Sequence, residues 1–150
     1  MGDTHGIELG TVVAGRYRVE ERLGEGGMGS VYRVEHVHTG QPLALKVLNP
    51  KLVENTVALE RFRREARAPA RINSDHVVKV TDADVAPEIG GAPFLVMELL
   101  EGETFEGLLK RRGSLSPNEA LGLLRQIARA LEKAHALGIV HRDIKPENLF

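Results

Sequence analysis

Four groups of residues in this 150-residue sequence could do chemistry. The first is a run of glycines, Gly24-Glu25-Gly26-Gly27-Met28-Gly29-Ser30-Val31, spaced G-x-G-x-x-G-x-V. Glycine has no Cβ, so such a turn can be tight and its N–H groups can come close to a phosphate. The second is Lys46, alone in the apolar stretch Leu43-Ala44-Leu45-Lys46-Val47. An ammonium held inward needs a carboxylate or a phosphate beside it. The third is Glu65, in Phe62-Arg63-Arg64-Glu65-Ala66. The fourth is His141-Arg142-Asp143-Ile144-Lys145-Pro146-Glu147-Asn148, which crowds an acid, bases and an amide into one short loop. Each of the first three also has an ordinary structural explanation: a hairpin turn, a snorkelling lysine and a solvated helix face. The fourth is hard to treat as a random polar loop.

The elements that must position these groups follow from periodicity and punctuation. Tyr17 to Val47 is strand-like, with turns at Gly24–Gly29 and Thr39–Pro42, and reads as three antiparallel strands. The glycines therefore sit between two strands. A dinucleotide fold needs a helix to spring from them, and Ser30-Val31-Tyr32-Arg33-Val34 continues as a strand instead. No Gly-Lys-Ser/Thr follows, so the P-loop pattern fails as well. A helix is expected over Val57–Arg71, with Leu59, Phe62 and Ala66 at helical spacing. Phe62 and Glu65 then lie on neighbouring parts of one face, so Glu65 can point toward Lys46. Pro69 lacks an N–H for the Glu65 carbonyl, and the helix is expected to end or kink there. Two further strands are expected at His76–Val80 and Phe94–Leu99, with Ala86–Pro93 as the turn between them. Thr104–Arg112 reads as a short helix stopped by Gly113. Ser116-Pro117-Asn118-Glu119 carries an N-cap serine, a proline at the first helical position and a capping-box glutamate. An apolar stripe of Leu121, Leu124, Ile127, Ala128, Leu131 and Ala134 follows, and Gly138 is the expected stop.

With the glycine turn, the Ala44-x-Lys46 strand, Glu65 and His141–Asn148 in this order, the sequence resembles the protein kinase family, specifically the bacterial serine/threonine kinases of eukaryotic type. The resemblance covers about residues 16–150. It implies an α+β fold: a five-stranded antiparallel N-lobe with one inserted helix, then the first helices of a helical C-lobe. The expected organisation is a loose leader over 1–15, the N-lobe over 16–98, a hinge over 99–102 and the start of the C-lobe over 103–150.

The same resemblance implies roles. ATP and Mg2+ are the expected cofactors, and proteins bearing Ser or Thr the expected substrates. Backbone N–H groups of Gly26–Ser30 would cover the phosphates. Lys46 would hold the α- and β-phosphates, oriented by Glu65, and Asp143 would be the catalytic base. Asn148 would ligate one magnesium. Lys145 would steady the transferred phosphoryl group and marks the serine/threonine type. His141 is given a packing role by the family. Leu23, Val31 and Ala44 would roof the adenine pocket and Phe150 would floor it. Met97 resembles the gatekeeper. Glu98-Leu99-Leu100 resembles the hinge segment, with the Glu98 carbonyl and the Leu100 N–H offered to adenine. The ammonium of Lys46 and the carboxylate of Asp143 are expected to face each other across one cleft.

Composition excludes other classes. Without cysteine there is no disulfide, thiolate nucleophile or cysteine zinc site. A net charge of −1 gives no general pull toward nucleic acid. No apolar run reaches transmembrane length, and the first residues have no signal-peptide core. A cytoplasmic protein is expected. The arginines of 61–71 and Lys110-Arg111-Arg112 read as solvated helix surface. The family places an Asp-Phe-Gly motif, whose aspartate is the main magnesium ligand, after the point where this sequence stops. The 150 residues alone are therefore expected to bind magnesium-ATP poorly and transfer little. The alternative is a pseudokinase-like module that holds nucleotide or a partner without catalysis.

Overall fold

The computed structural model describes residues 6–26, 29–49 and 56–150. Gly27 and Met28 of the glycine run lie outside the described residues, as does the side chain of Glu65. The chain divides into two compact units. One holds the described residues up to Ala70 together with Lys79–Leu99; the other holds Arg71–Val78 and Leu100–Phe150.

The first unit is a six-stranded antiparallel sheet. Its strands are β1 (Val12–Val13), β2 (Tyr17–Gly26), β3 (Gly29–His36), β4 (Pro42–Leu48), β5 (Val80–Ala86) and β6 (Ala92–Glu98), in the spatial order β1-β2-β3-β4-β6-β5. Strand alternation sends Tyr17, Val19, Tyr32, Val34, Leu43, Leu45, Phe94 and Val96 into one core. Two register shifts in the β2–β3 pair, between Val19 and Glu21 and between Arg22 and Gly24, leave Glu20 and Leu23 as extra residues that twist the hairpin.

Two expectations are corrected here. The leader is not loose over its described part. Val12 and Val13 pair with Arg18 and Tyr17, and Val13 is fully buried. The turn between them uses Ala14 and Gly15 at φ 52° and 67°, a left-handed pair that carries the chain back with the strand twist. The fifth strand also lies further along than His76–Val80. It runs from Val80 to Ala86, and the turn is the 3-10 turn Pro87–Ile89 with Gly90 and Gly91 at positive φ. Asp82 and Asp84 made this stretch look like a loop. Their charges are met from elsewhere: Tyr17 Oη donates to Asp82 Oδ2 at 2.6 Å, and Arg16 lies 3.0 Å from Asp82 and 3.8 Å from Asp84. Ala14 N–H donates to Glu88 at 3.3 Å. Strands at opposite ends of the order are thus tied together, so the sheet curls. Burial, and then the Asp82 hydrogen bond, pushes the Tyr17 hydroxyl up to about 12.

Between β4 and β5 stands α1 (Thr56–Arg71), with Phe62 and Ala66 buried as their spacing required. The helix runs through Pro69 to Arg71 rather than ending at the proline. Pro69 lies in the last turn, where its missing N–H removes a single rung.

In the second unit, α2 (Phe105–Arg112) is capped by Thr104, whose side chain accepts from the Gly107 N–H at 3.2 Å. Helix α3 (Pro117–Ala136) begins with the full capping box: Glu119 N–H donates to Ser116 Oγ at 3.3 Å, and Ser116 N–H donates to Glu119 at 2.9 Å. It ends in a Schellman turn. Gly138, at φ 72°, donates to the His135 carbonyl at 2.9 Å, and Ile139 donates to the Ala134 carbonyl at 2.9 Å. Lys133 Nζ reaches the Asn73 carbonyl at 2.6 Å, which ties residues 71–78 to this unit rather than to the sheet. Of the stripe, Leu121 and Leu124 are more than half exposed and Ala134 is buried.

Candidate active site

The first unit carries one group of the candidate residues. Directly opposed residues in a sheet share a face. Val31 opposes Lys46, Ala44 opposes Met97, Gly24 opposes Val31, and Lys46 opposes Leu95. Gly24, Val31, Ala44, Lys46 and Met97 therefore occupy one face of the sheet. The alternate residues Tyr32, Leu43, Leu45 and Val96 fill the core on the other. The residues directly opposite Lys46, Val31 and Leu95, are apolar, while Arg33, opposite Ala44, shares the face, and the lysine itself is partly buried. The face suits a flat apolar ring with an anionic group at one end. Leu23, the bulged residue, is half exposed.

The glycines of the turn are not equivalent. A Cβ on Gly29, at φ 145°, would stand 1.9 Å from the Val47 carbonyl oxygen. This glycine is required by the fold, because the backbone of β3 lies against that of β4. A Cβ added at Gly24 or Gly26 would meet nothing within 4 Å. Packing does not explain these two glycines, and the space they leave open suits close approach of a phosphate to the backbone. Glu25 opposes Ser30, and Gly26 opposes Gly29.

At the end of β6, Glu98 N–H donates to the Lys79 carbonyl at 3.0 Å, and the Glu98 carboxylate accepts from the Lys79 N–H at 2.8 Å. Glu98 belongs to the first unit and Leu100 to the second.

The second unit carries a separate group of candidate residues. After the Schellman turn the chain runs through Arg142 at φ 67°, a left-handed conformation unusual for a residue with a side chain. The 3-10 turn Pro146–Asn148 then folds Asn148 back onto Asp143. Asn148 Nδ2 donates to the Asp143 carboxylate at 3.1 Å and to the Asp143 carbonyl at 2.9 Å. Lys145 Nζ lies 3.8 Å from Asp143 Oδ2 and 3.4 Å from Glu147 Oε2. The Asp143 N–H donates to His141 Nδ1 at 3.2 Å. Asp143, Lys145 and Asn148 thus form one cluster, and Asp143 remains exposed enough to meet a substrate. Phe105 N–H donates to the Leu149 carbonyl at 2.7 Å, which fixes this loop to the start of α2. Phe150 lies over Gly102, where an added Cβ would stand 3.3 Å from its ring.

One oxygen of this cluster is of the kind a hard cation takes. Asn148 commits its amide nitrogen to Asp143, which leaves Oδ1 as the oxygen a magnesium ion would take. Among the described residues there is no cluster of three His, Asp or Glu that would hold a metal without further ligands.

Sequence reasoning did not single out Glu147 beside Lys145, or Arg22. The Arg22 guanidinium contacts Glu25 and donates to Ser30 Oγ at 3.2 Å. The available signal was that Arg22 stands just before the glycines on an alternating strand.

The family model of the protein kinase domain matches residues 17–150. The chain belongs to the protein kinase family. Among curated proteins it is similar to serine/threonine-protein kinase PknH of Mycobacterium tuberculosis, 40% identical over 149 residues, covering 99% of this chain and 23% of that protein. It is also similar to PknD of the same species, 41% identical over 135 residues, covering 90% of this chain and 20% of PknD. PknA of Mycobacterium bovis is 41% identical over 143 residues, covering 94% of this chain and 33% of PknA. The chain spans between about a fifth and a third of the length of these relatives. Among solved structures, the kinase domain of M. tuberculosis PknI superposes with a TM-score of 0.84 at 32% identity, over 95% of this chain and 56% of that one. The fold is the protein kinase fold. The sixth strand, β1, is an addition to the five that the sequence suggested.

Proposed function

We propose that this protein transfers the γ-phosphoryl group of ATP to serine or threonine hydroxyls of protein substrates. The observation that carries the reading is the Asp143–Lys145–Asn148 cluster, held by the two hydrogen bonds from Asn148. Asp143 takes the proton of the substrate hydroxyl as that oxygen bonds to the γ-phosphorus and the bond to ADP breaks. Lys145 neutralises charge on the group in transit. Its presence in the loop supports serine or threonine as acceptor. Lys46 holds the α- and β-phosphates and Glu65 orients it. Gly26–Ser30 cover the phosphates with backbone N–H groups. Leu23, Val31, Ala44, Met97 and Phe150 bind the adenine, with the backbone at Glu98 and Leu100 supplying its hydrogen bonds. Asn148 contributes one ligand to magnesium, which when bound neutralises the phosphates during transfer. The protein acts in the cytoplasm. No helix among the described residues is long and apolar enough to cross a membrane.

The test uses the protein at the full length of its coding sequence, γ-labelled ATP and a generic protein substrate. Label on serine and threonine, lost in Asp143→Asn, is the expected result. ATP binding with no transfer by the wild type would select the pseudokinase-like alternative.

A further inference from the structure

Arg22 stands opposite Tyr32 in the β2–β3 pair, and Glu25 stands opposite Ser30. Ser30 and Tyr32 are two apart on one strand, so they share a face. That face is opposite to the one carrying Val31 and Lys46. From behind the hairpin the Arg22 guanidinium contacts the Glu25 carboxylate on its own strand and donates to Ser30 Oγ at 3.2 Å on the partner strand. It thereby bridges both strands at the Glu25–Ser30 pair, one step before the last pair, Gly26 with Gly29. The register shift at Leu23 lies between Arg22 and the glycines, so the ladder is interrupted just where the turn needs support. Gly24 and Gly26 contribute no side chain to hold the strands together.

We infer that Arg22 is a positioning residue for the nucleotide, a clamp behind the glycine turn that holds its two strands at the spacing from which the turn covers phosphates. Arg22 touches no nucleotide. It lowers the freedom the hairpin must lose when phosphates bind. A forked guanidinium can serve Glu25 and Ser30 together, whereas an ammonium is a single point charge. The proposal rests on the reading of Gly26–Ser30 as the phosphate cover.

The test measures dissociation constants for magnesium-ATP and for adenosine in the full-length protein, with melting temperatures alongside. Adenosine has no phosphates, so it reports the ring site without the cover. Arg22→Ala is expected to weaken ATP about threefold, the scale of an exposed charged network, and to leave adenosine unchanged. Arg22→Lys is expected to fall between. Arg18→Ala breaks the ion pair with Glu35 at 3.2 Å on the same hairpin, away from the turn, and should change neither ligand. Equal loss for ATP and adenosine in Arg22→Ala, or ATP affinity unchanged from wild type, overturns the clamp and leaves the kinase reading standing. A wild-type protein that binds adenosine but gains nothing from the phosphates overturns the reading of the glycine turn, and the clamp with it.

Discussion

Asn148 holds Asp143 by two hydrogen bonds from one amide nitrogen, 3.1 Å to the carboxylate and 2.9 Å to the backbone carbonyl. The residue proposed as a magnesium ligand is therefore also the residue that sets the attitude of the proposed base. Asn148→Ala removes both functions. Transfer is expected to fall about 100-fold or more, on the scale of losing a positioned base, and raised magnesium should not restore it. Steady-state rates across a magnesium titration check this. Full recovery at high magnesium would show that Asn148 serves the metal alone.

The glycine turn separates a residue the fold needs from residues the proposed chemistry needs. Gly29→Ala drives a methyl group into the Val47 carbonyl. A loss of roughly 3 kcal/mol or more is expected, read as a lowered denaturation midpoint. Gly26→Ala meets open space and should leave stability within about 1 kcal/mol while weakening ATP. Denaturation and ATP titration on both variants distinguish the two roles.

Tyr17 ties the sheet's first hairpin to β5 through Asp82. Its hydroxyl is pushed up to about 12 from an ordinary 10.0. The folded state favours the protonated phenol, so this contribution is fully present below pH 10 and is lost as pH rises toward 12. Tyrosinate absorbance should show one tyrosine ionising late. Tyr17→Phe should abolish that late step and cost about 1 kcal/mol at neutral pH, the scale of one hydrogen bond.

Arg112 and the Ser116 cap hold the Glu119 carboxyl down to about 2, from an ordinary 4.5. The folded state favours the ionised carboxylate. Its contribution is present above about pH 4.5 and is lost as pH falls toward 2. Helical circular dichroism through that window should drop earlier in wild type than neutral-pH stability alone suggests, and Glu119→Gln should flatten the dependence. Ser116→Ala should cost about 1 kcal/mol by removing the cap.

The legible parts of the fold were those whose signals are local. The start of α3 is written in Ser116-Pro117-Asn118-Glu119, and its stop in Gly138. The glycines fall in a hairpin because Ser30–Val34 alternates as a strand should. Val12–Val13 was missed because two residues carry no period, and the turn beside them uses Ala14 in a conformation alanine seldom adopts. Strand β5 was misplaced because Asp82 and Asp84 look like loop residues until Tyr17 and Arg16 are brought against them from about 65 residues away. Of the site, Val31, Ala44, Lys46 and Met97 could be put on one face only once the register of β3, β4 and β6 was known. Asp143, Lys145 and Asn148 were legible because they are neighbours in sequence. The clamp at Arg22 was not, because its partners depend on the shift in register at Leu23.

The most direct measurement of the central claim is phosphoryl transfer by Asp143→Asn beside ATP binding by the same variant. A carboxamide keeps the shape and the contact to Asn148 but cannot take a proton. Transfer reduced by a factor of about 10²–10⁴ with ATP bound as in wild type is the predicted result. Transfer at the wild-type rate would contradict the assignment of Asp143 as the base, and with it the proposed reaction.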